Sequence, residues 1–305
     1  ALQQLAPKGL VEHLQATWQG TMEQPSRYTA KGRVTQLELA ARATAGETRP
    51  GFKGADIDFD LNQSGGRATV AVKDGSMDLP GVFEDPLLPF DQLSTDVQWK
   101  LDGTQISLTL PNLRFGNADA QGEAQVKWQT VDGAASAKRF PGLLDLQGSL
   151  SRADGTRVHR YLPLGLPKDV RDYVREAVTA GTATGVKFKV KGNLHDFPYT
   201  TPKQGDFRIS ADMHDATFAY VPSFLLDKGS LQWPALTQLS GELVIDRAVL
   251  QVKGAHGNVA NTAGLRVTKV DGVVDSLYGG ATVTVTAAAQ GPLTDILGVV
   301  NGSPL

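Results

Sequence analysis

Apolar and polar residues alternate along much of this chain, and this two-residue period restricts its fold more than any other feature. Val97, Trp99 and Leu101 alternate with charged and amide residues, and the segment 186–194 alternates apolar residues with lysines. A period of two puts successive side chains on opposite faces of a β-strand. Strands buried on both faces would be apolar throughout, so the alternation predicts antiparallel meanders with one apolar face and one solvated face.

One segment has a helical period instead. Between Pro167 and Ala180, apolar residues recur at positions i, i+3, i+4, i+7 and i+8. A proline in the first turn and a glycine, Gly181, after the last turn are typical of helix ends. We therefore predict an amphipathic helix over this segment, with Gly181 as its C-cap and with its charged residues in solvent. A second, shorter helix is expected around Thr156–Leu162.

The chain contains an internal repeat. A constant shift in numbering places Gly9 on Gly181, with a predicted strand after the glycine in both copies. We interpret the chain as two β modules, residues 1–160 and residues 161–305, the second of which opens with the helix 167–180. Stacked modules grow in one dimension and produce long continuous surfaces. Chance similarity between amphipathic strands is the alternative explanation of the repeat.

Charge and composition exclude several classes of function. The chain has 30 Lys and Arg residues against 32 Asp and Glu residues, a net charge of -2, which does not favour a nucleic-acid partner. The absence of cysteine excludes disulfides, thiolate metal sites and cysteine catalysis. The chain contains no run of about 20 consecutive apolar residues, the length that could span a bilayer. Residues 1–5 and 296–300 read as parts of helices, and we expect any membrane anchor to lie outside this chain.

The motifs that suggest metal binding or catalysis are incomplete in this chain. Asp56–Asp60 begins like a calcium-binding loop, but Leu61 and Arg67 occupy the positions where such a loop needs glycine and glutamate. The pairs His195–Asp196 and His214–Asp215 lie at predicted strand ends and lack the further ligands of a metal hydrolase. We therefore expect no metal, no cofactor and no enzymatic activity.

Two further enzyme motifs were considered. The glycine-rich segment 181–185 follows a predicted helix and precedes a predicted strand, which is the reverse of the order in a phosphate-binding loop. A carbohydrate-active enzyme stays an alternative, because the sequence does not show whether two carboxylates face each other across a cleft, as they do in a glycoside hydrolase.

Three segments resemble a known family. The segment His159–Pro198, which includes the predicted helix and the strand after it, resembles a characteristic stretch of the YhdP branch of the AsmA-like bacterial envelope proteins. The segments Met77–Ser94 and Leu5–Gly9 are similar to the same family at matching places in its order. Together the three segments span most of the chain.

The resemblance implies a fold, a place and a function. It implies a mainly β protein whose repeated antiparallel meanders form a long curved, trough-like sheet, with one or two short amphipathic helices at module boundaries. Such a protein is anchored in the inner membrane, crosses the periplasm and has an apolar lining. Family members are implicated in moving phospholipid between the inner and outer membranes, so the implied partners are phospholipid acyl chains and the membranes at the ends of the full-length protein. The family pattern contains no catalytic residues.

Ten apolar residues on predicted strands are our candidates for the lining of a lipid groove. The alternative is that each of them packs against a second sheet or the helix as an ordinary core residue. The candidates are Trp99, Ile106, Leu108, Phe188, Val190, Ile209, Phe218, Ile245, Val283 and Val285.

Two functions follow from the sequence. The leading hypothesis is a segment of a bridge-like periplasmic protein that conducts phospholipid along an apolar groove. The alternative is a scaffold that binds envelope-assembly proteins through its sheet edges or loops.

Overall fold

The computed structural model of the protein describes residues 7–21, 25–44, 47–131, 139–280 and 282–304. The expected helical character of residues 1–5 lies outside these ranges. The described residues fold mainly as β-strands, which confirms the predicted fold class. The trough-like curvature of the sheet and the module boundary at residue 160 stay predictions.

Fourteen strands form one antiparallel sheet, and neighbouring strands in the sheet follow one another along the chain. The short strands β3 and β4 pair with each other in a separate sheet. The strands are β1 (Lys8–Gly20), β2 (Pro25–Leu39), β3 (Arg42–Thr44), β4 (Glu47–Arg49), β5 (Gly51–Asn62), β6 (Gly65–Asp78), β7 (Leu87–Asp102), β8 (Gln105–Gly116), β9 (Ala120–Gln129), β10 (Leu143–Asp154), β11 (Val178–Asn193), β12 (Gly205–Phe218), β13 (Leu236–Asp246), β14 (Val249–Val259), β15 (Arg266–Val274) and β16 (Val283–Gln290).

Two α-helices interrupt or follow the strands. The first, α1, covers Lys168–Ala177, and the second, α2, covers Leu293–Gly302, which agrees with the helical character expected there. A 3-10 helix over Gly155–Tyr161 lies where the shorter helix was predicted. Two more 3-10 turns cover Leu194–Asp196 and Ser223–Leu225.

The predicted end of the first helix was wrong. Helix α1 stops at Ala177, whose carbonyl accepts a hydrogen bond from the amide of Ala219 at 2.8 Å. The next residues, Val178 and Thr179, are β-branched and favour the strand that begins there. Gly181 therefore lies within β11 rather than capping the helix. Its φ is +119°, and a Cβ there would lie 2.6 Å from the Cα of Ala216.

The fold divides into two compact units. The first unit contains the described part of residues 1–149, together with Lys189–Phe197 and Thr201–Asp206. The second unit contains Leu150–Phe188, Pro198–Thr200 and the described residues from Phe207 onward.

Several strands in each unit carry a β-bulge, which shifts the two-residue period by one. At a bulge, two residues that are three apart in sequence have their side chains on the same face. In the second unit, the register shifts between Met213 and Ala216 in β12 and between Val252 and Ala255 in β14. In the first unit, a comparable shift separates Leu110 and Leu113 in β8. The apolar side chains therefore stay on one face although their spacing in the sequence changes.

The buried core is small and is not confined to this apolar face, because Val244 of β13 is 3% exposed and lies on the opposite face. In the second unit, Leu239, Ala255 and Val267 form a buried cluster, and partly buried residues pack around it. Tyr199 and Thr130 are the largest described side chains that are almost completely buried. A single sheet with one covering layer over part of its area accounts for this thin core.

Gly241 lies beside this cluster and is a test of the packing. A Cβ at position 241 would lie 2.7 Å from the Cα and 2.8 Å from the Cβ of Ala255, so two neighbouring strands would have to separate. We expect Gly241→Ala to lower the free energy of unfolding by about 1–3 kcal/mol in urea titrations. The matched control is Gly165→Ala, because nothing lies within 4 Å of the Cβ it would add. Equal stability of the two variants would contradict the packing described here.

Candidate functional site

Apolar residues form continuous rows across the strands of the second unit. Residues directly opposite each other in an antiparallel pair have side chains on the same face. Pairing places five residues of β12 to β16 in one row: Ile209, Ile245, Leu250, Val274 and Val283.

The next row on the same face is equally free of polar residues. It contains Ala211, Leu243, Val252, Gly272 and Val285. Farther along the strands the face continues through the buried cluster of Leu239, Ala255 and Val267 to Phe218. We call this surface the second apolar face. Five of the ten predicted groove residues lie on it: Ile209, Phe218, Ile245, Val283 and Val285.

The first unit has an apolar face of the same kind. Trp99 and Leu108 are paired, and Ile106 is paired with Leu101 two residues farther along, on the same face. The row that contains Trp99 crosses seven strands through Ala16, Ala30, Leu61, Gly66, Trp99, Leu108 and Trp128.

A glycine makes room for the tryptophan in this row. A Cβ at Gly66 would lie 2.6 Å from Cζ2 of Trp99, so the indole ring lies directly over the backbone of β6. We call this surface the first apolar face, and Trp99, Ile106 and Leu108 are its predicted members.

The last two predicted residues, Phe188 and Val190, lie two positions apart on β11 and so share one face of that strand. The lysines between and beside them point to the other face, where Lys189 pairs with Asp206 at 2.8 Å and Lys191 with Asp145 at 2.9 Å. This placement puts both residues on the less polar side of β11.

None of the ten candidates is fully buried. Eight are half-buried, and Val283 and Val285 are 64% and 59% exposed. A core residue of a two-sheet sandwich would be almost completely buried. Within the described ranges, the other sheet consists of β3 and β4, which have three residues each and cannot cover a face of this area.

Helix α1 and the loop after β12 cover one end of the second apolar face. The Tyr173 ring makes an edge-to-face contact with Phe218, with ring centroids 6.4 Å apart, and its hydroxyl donates a hydrogen bond to the carbonyl of Tyr220 at 2.9 Å. Burial raises the pKa of Tyr173 and of Tyr220. The Tyr220 ring in turn contacts Trp233. The helix thus buries apolar residues at this end, as the sequence predicted, whereas Arg171 is buried rather than solvated.

The opposite face of each unit carries cross-strand ion pairs. In the first unit, Arg33 contacts Asp58 at 3.0 Å and Arg67 contacts Asp60 at 3.2 Å, which places these carboxylates on the solvated face of β5. In the second unit, Arg208 contacts Asp246 at 3.1 Å. Exposed pairs of this kind contribute at most about 1 kcal/mol each. Their positions indicate which face of each unit remains in water.

Polar side chains satisfy backbone amides at the bulges. The amide of Gln36 donates to Oδ1 of Asp56 at 2.9 Å, and the amide of Gly254 donates to Oδ1 of Asp271 at 2.8 Å. The Gly254 amide and then Lys269 hold the pKa of Asp271 below its usual value. Hydrogen bonds from Asn112 and Thr69 lower the pKa of Asp96 in the same way.

The described residues contain no cluster of three or more side chains that could hold a metal ion. Nδ1 of His195 lies 3.5 Å from Oδ1 of its neighbour Asp196, which is a long distance for a hydrogen bond. His214 shares a hydrogen bond of 2.8 Å with the hydroxyl of Thr184. Neither histidine is brought close to the other in a ligand set.

Sequence reasoning missed the bulges and several members of the rows. Leu250 and Val274 complete a row with Ile245, and Leu61 and Trp128 complete a row with Trp99. The sequence signal for a bulge was a pair of apolar residues three positions apart inside an alternating segment. Such a pair marks a shift of phase that only a bulge accommodates.

Tyr173 tests the packing of α1 on the second apolar face. We expect Tyr173→Phe to lower the free energy of unfolding by about 0.5–1.5 kcal/mol, because the Tyr220 carbonyl loses its donor. Tyr173→Ala should cost more, about 2 kcal/mol, because the ring also leaves Phe218. The control Glu176→Gln, on the exposed side of the helix, should change stability by less than about 0.5 kcal/mol. Urea denaturation measures all three, and a neutral Tyr173→Ala would argue against this packing.

The fold and the faces together define the class: within the described residues, an antiparallel sheet of 14 strands whose two units each carry an apolar face. No described helix is both long enough and apolar enough to cross a membrane. The family model described as YhdP protein matches residues 1–305, and the chain belongs to the YhdP family.

A named relative extends this result. The intermembrane phospholipid transporter YhdP of Escherichia coli (strain K12) is 26% identical over 239 residues, which are 74% of this chain and 16% of the relative. The matched region of this chain thus corresponds to about a sixth of the length of that protein. No solved structure matches the chain.

Proposed function

We propose that this chain is a segment of a periplasmic protein that conducts phospholipid between the inner and outer membranes, with acyl chains lying against its apolar faces. It is not an enzyme in this proposal. The observation that carries the proposal is the row from Ile209 to Val283, in which five consecutive strands present only apolar side chains that are not fully buried. The name of the E. coli relative supports the lipid class.

The dimensions of the row suit a lipid chain. Neighbouring strands lie about 4.8 Å apart, so a row across five strands extends roughly 19 Å. An acyl chain along such a row would contact one apolar side chain per strand. Burial of each methylene contributes about 0.8 kcal/mol, which spreads the affinity over many weak contacts. Weak, non-directional contacts allow a chain to move along the surface rather than stay at one position.

Exposed apolar area gives a second argument. Soluble proteins rarely leave large contiguous apolar patches in water without a ligand or partner. On the second apolar face, α1 covers the end near Phe218, whereas Val283 and Val285 at the far strand remain mostly exposed. A lipid chain would supply the missing cover at this exposed end.

The proposal also concerns place and partners. A phospholipid conductor between two membranes works in the periplasm, so we place this segment there, in a protein anchored in the inner membrane by a part that is not in this chain. Its partners are then phospholipid and the membranes at the ends of the full-length protein. The chain itself supplies the path rather than the anchor.

A protein-binding scaffold is the second candidate, and one observation favours it. Strand β1 pairs on one side with β2 and is exposed along all of its 13 residues, which include Leu14 and Trp18. An exposed strand edge can pair with a strand from another protein. Partners in envelope assembly would then bind at this edge rather than on the apolar faces.

Two adjacent positions on β16 test the lipid proposal. Val285 lies on the second apolar face and Thr286 on the opposite face, and both are exposed, so neither is needed for the core. We expect Val285→Glu to reduce the phospholipid that co-purifies with the protein several-fold, because a carboxylate must then be desolvated by an acyl chain. The control Thr286→Glu should retain the lipid of the unaltered protein. Native mass spectrometry measures both.

Photocrosslinkers extend the same test to the predicted residues. Placed at Ile245 or Val283 in cells, they should capture phospholipid, and at Thr284 they should not. Capture at none of the ten candidate positions would contradict the proposal. A stoichiometric protein partner without lipid in the native mass spectrum would favour the scaffold.

A further inference from the structure

The bulges decide which side chains reach the apolar faces. In β14, Leu250 and Val252 lie on the second apolar face before the bulge, and Ala255 lies on it after the bulge. Without the bulge, a strict two-residue period would put Lys253 and Ala255 on the same face of β14. Either the lysine would then join the apolar face or Ala255 would leave it. A slip of one residue exchanges the two faces of a strand. The bulge therefore keeps a lysine out of the apolar row.

A side chain from the next strand of the sheet accepts a backbone amide at several of these bulges. Asp56 of β5 accepts from Gln36 of β2, and Asp271 of β15 accepts from Gly254 of β14. Ser240 of β13 accepts the amide of Asp215 of β12 at 3.3 Å.

The three amide donors share one backbone conformation. The φ angles of Gln36, Asp215 and Gly254 are +52°, +50° and +57°, so all three lie in the left-handed region. A residue in this conformation turns its amide away from the regular ladder. A polar side chain on the adjacent strand replaces the lost acceptor.

We propose that Asp56, Ser240 and Asp271 are positioning residues that fix the bulges and thereby keep the apolar rows on a single face of the sheet. Their importance for lipid rests on the proposed function, whereas their role in strand register does not. The residues belong to the solvated face and do not touch the lipid. They act through the backbone of the neighbouring strand.

Asp271 offers the sharpest test, because its two contacts can be separated. Its Oδ1 accepts the Gly254 amide and its Oδ2 contacts Nζ of Lys269 at 3.1 Å. Asp271→Ala removes both contacts. Asp271→Asn keeps an oxygen acceptor for the amide but removes the charge, and Lys269→Ala removes only the ion pair.

Strand register is read by cysteine labelling in a chain that has no cysteine of its own. Leu250→Cys reports on the apolar face and Gln251→Cys on the opposite face of β14. In the unaltered background, a polar maleimide should label position 251 faster than position 250. With Asp271→Ala we expect this ratio of rates to fall at least several-fold or to invert. With Asp271→Asn or Lys269→Ala it should stay within about two-fold of the unaltered background.

The outcomes separate the two roles. An unchanged ratio in Asp271→Ala, or a loss in Lys269→Ala as large as in Asp271→Ala, would overturn the positioning role. If Asp271→Ala does not fold, Ser240→Ala decides through the same labels at Asp212 and Met213 on opposite faces of β12. Native mass spectrometry of the same variants should show less lipid in Asp271→Ala than in Asp271→Asn. A change in labelling in a protein that never retains lipid would support the register role and contradict the proposed function.

Discussion

Each unit depends on keeping most apolar side chains on one face of a sheet that is a single layer thick. Each strand has only one apolar face, so an error of one residue in register would put a lysine or an aspartate among the apolar residues and a valine in water. Long strands make this harder, because their natural twist accumulates along their length. A bulge resets the phase of a strand, and the apolar spacing in the sequence shifts by one residue between Val252 and Ala255, where the bulge of β14 lies.

The thin core follows from the same constraint. A sheet with one apolar face must cover it with another layer or present it to a ligand. Here α1 and the aromatic cluster of Tyr173, Phe218, Tyr220 and Trp233 cover one end of the second apolar face. The remaining rows rely on small residues and on neighbouring side chains within the sheet. The stability of the fold therefore comes mainly from strand pairing and from contacts between adjacent rows.

The polar face has a structural role that its composition alone does not show. Ion pairs such as Arg33 with Asp58 connect neighbouring strands, yet their exposure limits what each contributes to stability. The carboxylates and hydroxyls that accept bulge amides contribute differently, because they satisfy backbone donors that the sheet ladder leaves without acceptors. Asp271 makes both kinds of contact, because it pairs with Lys269 and also accepts the amide of Gly254 at the bulge of β14.

The sequence by itself determined the class of fold, the approximate position of α1 and several residues of the apolar faces, because a two-residue period puts apolar side chains on one side of a strand. Trp99, Leu108, Ile209 and Ile245 were found in this way. Tertiary structure alone decided where α1 ends, since Ala177 already accepts a hydrogen bond from Ala219, the residue that follows β12. It also decided which residues share a row. Register depends on pairing between strands and on bulges such as the one at Gly254, and no periodicity within a single segment specifies its partner.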